Sequence, residues 1–206
     1  MGGFKVMGWS IAGAFFVECL LREAGAPYEY VHISRTHSKS PEFLALNPLA
    51  RIPVLELPDG SRIIESVAIF IHLVERFPQL APPAGSPERD RMWQQLAVMS
   101  TSLYPALHRF HHTYYYAAEN NFDDVREMAI VDGDRWWDYV DGQLDPFLSG
   151  AAPMAADFYL FMMTRWAPDR DRMLDARSSL AAFIDRMRLH PTVDVVTRSH
   201  DRPSGS

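Results

Sequence analysis

Glu65 and Ser66 stand directly before VAIFIHLVERF, a run with helical length and periodicity, which puts the pair at the start of a helix. Ser66 is the expected N-cap. Free N–H groups and the dipole at such a helix start favour an anion, and a carboxylate at Glu65 can neutralise an ammonium group beside it. The pair therefore suits a ligand that carries both charges. A second group of reactive types lies near the N-terminus. Ser10 is the only hydroxyl in GWSIAGAFF, and Cys19 is the only cysteine in the chain. Cys19 falls on the apolar side of the next helix, where a thiol is inert. Ser10 is free to act as a hydrogen-bond donor to a ligand or to bond its own loop. A third group is LYPALHRFHHTYYY, residues 103–116. Its His108 and His112 have the i,i+4 spacing of some zinc sites but lack the accompanying glutamate, so no metal is expected.

These residues are carried by an alternation of elements. FKVMGW reads as a buried strand, and the stretch from Gly13 to Gly25 as a helix with Phe16, Cys19 and Leu20 inward and a Glu18–Arg22 pair outward. Tyr28 to Ile33 alternates as a second strand, and PEFLALN forms a short helix. RIPVLELPDGSRII is a hairpin about Pro-Asp-Gly. The order strand, helix, strand, short helix, hairpin, helix gives a parallel pair joined to an antiparallel pair. This is a small α/β domain over residues 1–80. APPAGSPE, residues 81–88, reads as a linker. Residues 89–206 read as all helical, with patterns over 88–118 (bent at Pro105), 122–148, 155–166 and 176–189, a short helix after Pro191, and an unstructured DRPSGS tail.

Composition excludes several classes. A formal net charge of -6 argues against nucleic acid. No run approaches the roughly 20 apolar residues that span a bilayer, and MGGFKVMGWSIAGAFF lacks the marks of a signal peptide. One cysteine fits a reducing compartment, so a cytoplasmic protein without membrane partners is expected.

NPLARIPVLELPDGSRIIES, residues 47–66, resembles the glutathione-binding segment of the glutathione transferase superfamily: Asn-Pro, a basic residue, an Ile/Val-Pro pair, a hairpin and a Glu/Gln-Ser pair, in that order. SGAAPMAADFYLFMMTRW resembles the family's helix-start motif, and ADFYLF with RW and the tail LAAFIDRMRLHPTV are most similar to bacterial beta-type members. The resemblance spans residues 4–198. It implies a thioredoxin-like N-terminal domain that binds glutathione, an all-α C-terminal domain that shapes a pocket for an apolar electrophile, and a homodimer.

Residue by residue, the resemblance implies a cis bond before Pro53 that exposes the Ile52 backbone to the cysteinyl part of the tripeptide. Ser66 would take the γ-glutamyl carboxylate and Glu65 the ammonium group. Arg51, His37 or Lys39 could meet the glycyl carboxylate, or each could be a solvated surface charge. Tyr104, His108 and Tyr115 could border the electrophile, or could be packing and dimer contacts. Asp157 is expected to cap a helix start, but Met154 stands where the family has Ser or Thr, so half of the capping box is lost.

One departure bears on chemistry. Aligned through LREAG, the beta-type cysteine falls at Gly13 and its neighbour at Ala14, neither of which can donate a side-chain hydrogen bond. That disfavours reductase, isomerase-type thiol exchange and deglutathionylation by an enzyme cysteine, and leaves Ser10 as the candidate catalytic side chain. Conjugation of glutathione to an apolar electrophile leads. A binding protein with little turnover, or a glutathione-dependent isomerase or dehalogenase, uses the same tripeptide site.

Overall fold

From its first strand the chain lays down β1 (Phe4–Gly8), α1 (Ala14–Glu23) and β2 (Tyr28–His32), and the two strands pair in parallel from Phe4↔Tyr28 to Gly8↔His32. A 3-10 turn at His37–Lys39 leads into α2 (Pro41–Leu44), whose start is capped by the Ser40 hydroxyl on the Phe43 amide at 3.3 Å. β3 (Val54–Glu56) and β4 (Arg62–Ile64) form the expected hairpin, with Gly60 at φ 86 and Asp59 accepting the Ser61 amide at 2.8 Å. α3 (Ser66–Arg76) follows, and the sheet order is β2-β1-β3-β4. The computed structural model describes residues 3–200; the expected unstructured tail, residues 201–206, lies outside them.

The chain divides into two compact units: residues up to Ala81 with the segment from Arg188 onward, and Pro82–Met187. The first unit is a thioredoxin-like α/β arrangement. It also takes in the last helix, named α10 here (Pro191–His200), which packs along α1. That contact corrects the expectation for Glu18. α1 is buried from Ala14 to Leu21, Glu18 included, because the sheet covers one side of it and α10 the other.

The second unit is helical: α4 (Pro87–Val98), α5 (Tyr104–His111), α6 (Phe122–Asp141), α7 (Ala155–Thr164), α8 (Arg170–Asp175) and α9 (Ser178–Arg188). The bend expected at Pro105 is a π-turn over Met99–Leu103. The wider turn accommodates a proline that has no N–H and crowds the preceding carbonyls. α7 is buried along its whole length. At its start, Asp157 accepts the amides of Met154 at 2.9 Å and Leu148 at 2.8 Å. The Met154 thioether supplies no oxygen to the Asp157 amide, which bonds the Met154 carbonyl at 2.9 Å instead. Among the described residues, no helix is long and apolar enough to cross a membrane.

Candidate functional site

Strand register decides which residues meet. β1 runs antiparallel to β3 with Met7 opposite Val54, and β3 runs antiparallel to β4 with Val54 opposite Ile64. The residues just beyond these pairs therefore gather at one end of the sheet: Gly8 and the loop 9–13, Pro53, and Glu65–Ser66. β2 ends at the same level, His32 beside Gly8, so the segment with His37 and Lys39 departs from that end too. Met7, Ile33, Phe43 and Val54 form the core beneath it, with Ile52 and Ile64 packed against them.

The Ile52-Pro53 bond is cis. Asn47 holds the approach to it: this buried side chain donates from Nδ2 to the Arg51 carbonyl at 2.8 Å, and its Oδ1 accepts the Leu49 amide at 3.0 Å. Ala50 at φ 54 completes the turn. Pro53 is buried, Ile52 partly buried and Arg51 exposed. Gly13 lies so close that a Cβ there would sit 2.5 Å from Pro53 Cδ.

Glu65, not Ser66, holds the cap position of α3. Its backbone at φ 69 turns the chain from β4 into the helix, so helical geometry begins at Ser66 and the first bond runs from the Ile69 amide to the Glu65 carbonyl at 3.0 Å. The Glu65 side chain makes no cap bond to α3 and no acidic residue occupies its first turn, and the positive end of a helix favours an anion. α1 is alike, with Gly13 at its cap, no side-chain cap and no acid in its first turn.

Ser10 is partly buried in the turn after β1, and its hydroxyl makes no hydrogen bond to another described residue. His37 and Lys39 are exposed; the His37 ring meets Phe43 edge-on at 6.2 Å.

In the second unit, the three aromatic candidates share one cluster. His108 lies 5.7 Å from Tyr104 and stacks on Tyr115 at 5.9 Å and 14°. Tyr104 and Tyr115 are exposed, so these two rings are not core. The His108–His112 spacing serves this cluster: the rings lie 4.5 Å apart, with His108 Nδ1 on the Tyr116 hydroxyl at 2.8 Å and His112 Nδ1 on that of Tyr114 at 3.0 Å.

Sequence reasoning missed the structural parts of Asn47, Gly13 and Tyr30. The Tyr30 hydroxyl donates to the Gly8 carbonyl at 3.1 Å, and burial pushes its pKa up to about 12, keeping it a neutral donor. Of these, only Asn47 carried a sequence signal, as part of the Asn-Pro pair.

Residues 5–75 match the family model described as glutathione S-transferase, N-terminal domain. The chain is 26% identical to the uncharacterised GST-like protein YncG of Escherichia coli K12, covering 96% of this chain and 97% of that protein. It is 27% identical to glutathione S-transferase GstA of Escherichia coli O157:H7, covering 84% and 87%. A crystal structure of a glutathione transferase homologue from Sulfitobacter, with bound glutathione, superposes with a TM-score of 0.87 at 21% identity, covering 97% of this chain and 99% of that one. The chain therefore has the glutathione transferase fold, and its residues 5–75 match the N-terminal domain of that superfamily.

Proposed function

We propose that the protein binds glutathione at the end of its sheet and transfers the thiolate to a small apolar electrophile. The observation that carries this reading is the meeting, at one sheet end, of the cis Ile52-Pro53 turn and the start of α3 at Glu65-Ser66. Ile52 would offer its backbone to the cysteinyl unit, α3 and Ser66 would take the γ-glutamyl carboxylate, and Glu65 the ammonium group. Arg51, His37 and Lys39 are the candidate side chains for the glycyl carboxylate.

Activation means holding the glutathione sulfur as a thiolate. Lowering a thiol pKa from about 8.5 by two units takes about 2.7 kcal/mol of stabilisation. The start of α1 and the Ser10 hydroxyl are the proposed sources. The thiol proton leaves to solvent and the sulfur forms a bond to the electrophilic carbon. In a substitution the leaving group departs with its bonding pair to solvent, and in an addition the displaced π pair takes a proton from solvent. Orientation of the two reactants carries much of the rate. Tyr104, His108 and Tyr115 are the proposed electrophile contacts. A homodimer in the cytoplasm is part of the same reading.

A second reading has its own observation. Gly13 brings no donor to the place where beta-type relatives carry a cysteine, which favours a glutathione-binding protein with little turnover. Isomerisation or dehalogenation would use the same tripeptide site. Calorimetry with glutathione separates these from no binding at all. Glu65→Ala and Ser66→Ala should each weaken binding several fold, about 1 kcal/mol per lost charged or hydrogen-bonded contact. Wild-type affinity in both variants removes the assignment. Given binding, Ser10→Ala should lower kcat with KM for glutathione little changed; unchanged kcat removes Ser10 from the chemistry.

A further inference from the structure

The last described residue reaches back to the first loop. His200 is 4% exposed, and its Nδ1 accepts the Ile11 amide at 3.0 Å, a bond between residues 189 apart in the chain. Because Nδ1 accepts an N–H, the ring proton sits on Nε2, which faces Glu18 Oε1 at 2.5 Å. Glu18 is 3% exposed on α1. The imidazole is wedged between Phe15, edge-on at 5.7 Å, and Tyr30, tilted at 5.2 Å. Thr192, at the other end of α10, bonds Glu23 at the far end of α1, so the two helices are tied at both ends.

What this clamps is one peptide plane. The Ile11 N–H and the Ser10 carbonyl belong to the same planar unit, so a hydrogen bond on the amide restricts Ser10 ψ and Ile11 φ together. Ile11 sits at φ 57, which is strained for a β-branched residue and persists only where its surroundings hold it. The far side of the loop is fixed separately: the Gly8 carbonyl accepts both the Tyr30 hydroxyl at 3.1 Å and the Ile33 amide at 2.7 Å. His200 constrains the Ile11 side of the loop.

We infer that His200, held by Glu18, is a positioning residue that sets the loop carrying Ser10 and leading into α1, and so sets how glutathione sulfur is received. This rests on the proposed glutathione reading. His200 would touch neither substrate. Its work is done through the Ile11 amide, and Glu18 keeps the imidazole in the tautomer that can accept it.

Two variants separate positioning from mere support. His200→Phe keeps the ring packing between Phe15 and Tyr30 but removes both hydrogen bonds. His200→Asn places an amide oxygen near the Nδ1 position and restores the acceptor for Ile11. Three readouts are taken on the full chain: amide hydrogen exchange over residues 9–15, ultraviolet absorbance of the thiolate of bound glutathione, and kcat and KM with an aryl chloride. His200→Phe should speed exchange in that segment about tenfold or more while the core amide of Val6 stays protected. It should also reduce the bound thiolate signal and lower kcat about tenfold, with KM for glutathione within about twofold of wild type. His200→Asn should recover most of each. Unchanged exchange in His200→Phe overturns the clamp. Faster exchange with an unchanged thiolate signal and kcat overturns the functional role, as does a His200→Asn variant no better than His200→Phe. If wild type itself binds no glutathione, the glutathione reading fails and with it the sulfur-positioning claim, while the exchange data still decide the clamp.

Discussion

A Cβ placed on Gly13 would lie 2.5 Å from Pro53 Cδ, so the loop before α1 and the turn before β3 meet with no room for a side chain between them. The glycine backbone is ordinary at φ -54, so space is what selects it, not conformational freedom. A side chain at this position should therefore strain the chain. Gly13→Cys and Gly13→Ala are each expected to destabilise by about 1–3 kcal/mol through overpacking against a rigid ring, read as a lower melting temperature. A melting temperature at or above wild type for Gly13→Ala would mean the contact is looser than the geometry states.

Asn47 holds the run into the cis bond from both sides, through the Arg51 carbonyl and the Leu49 amide. Asn47→Ala should cost about 1–2 kcal/mol, the sum of two net hydrogen bonds whose partly exposed partners can recruit water. It should also weaken glutathione binding, because the backbone at Ile52 is no longer held. Calorimetry giving wild-type affinity would separate the loop from the ligand.

Asp157 is fully buried, and desolvation raises its pKa to about 7 against the two amide bonds that favour the carboxylate. Between its unfolded value near 4 and about 7, the folded state holds a proton that the unfolded chain has released. The contribution of this group is therefore complete below pH about 4, declines through that window and is gone above about 7. Melting curves should show wild type losing stability from pH 5 to 7.5 relative to Asp157→Asn, which lacks the titration. Asp157→Ala should cost most at low pH, about 2–3 kcal/mol near pH 4, by orphaning the Leu148 and Met154 amides, and less as the pH rises toward 7. Parallel pH curves for wild type and Asp157→Asn would contradict the shift.

The hairpin and the helix after it were legible because each is signalled by neighbouring residues: Pro-Asp-Gly for the turn, Glu65-Ser66 for α3. Glu18 was misread because its environment is set 182 residues away. Helical periodicity and a nearby Arg22 made it look like a surface ion pair, while α10 covers it and His200 faces it. The cap of α3 was one residue off because a left-handed backbone at a glutamate has no sequence mark. α8 went unread because six residues carry too little periodicity to separate helix from loop. At that sheet end, the cis turn at Ile52-Pro53 and the helix start at Glu65-Ser66 were signalled by their pattern. The Gly13–Pro53 contact could not, since it joins two loops far apart in the chain.

α6 leaves Met128 66% exposed and Val131 45% exposed, beside a groove of about 490 Å³ whose lining includes Arg109, Asp124, Asp132 and Arg135. Apolar surface rimmed by charges of both signs suits a second copy of the chain. Light scattering should give twice the 23.5 kDa chain mass, and Met128→Glu should shift it toward the monomer. A monomer for wild type at working concentration would remove the dimer.

The most direct test is a crystal structure after soaking with glutathione. The γ-glutamyl carboxylate should lie at the start of α3 on Ser66, the cysteinyl backbone should pair with Ile52, and the sulfur should fall within hydrogen-bond reach of Ser10 or the α1 amides. A groove empty at saturating glutathione, or a tripeptide bound away from the cis proline, would contradict the account.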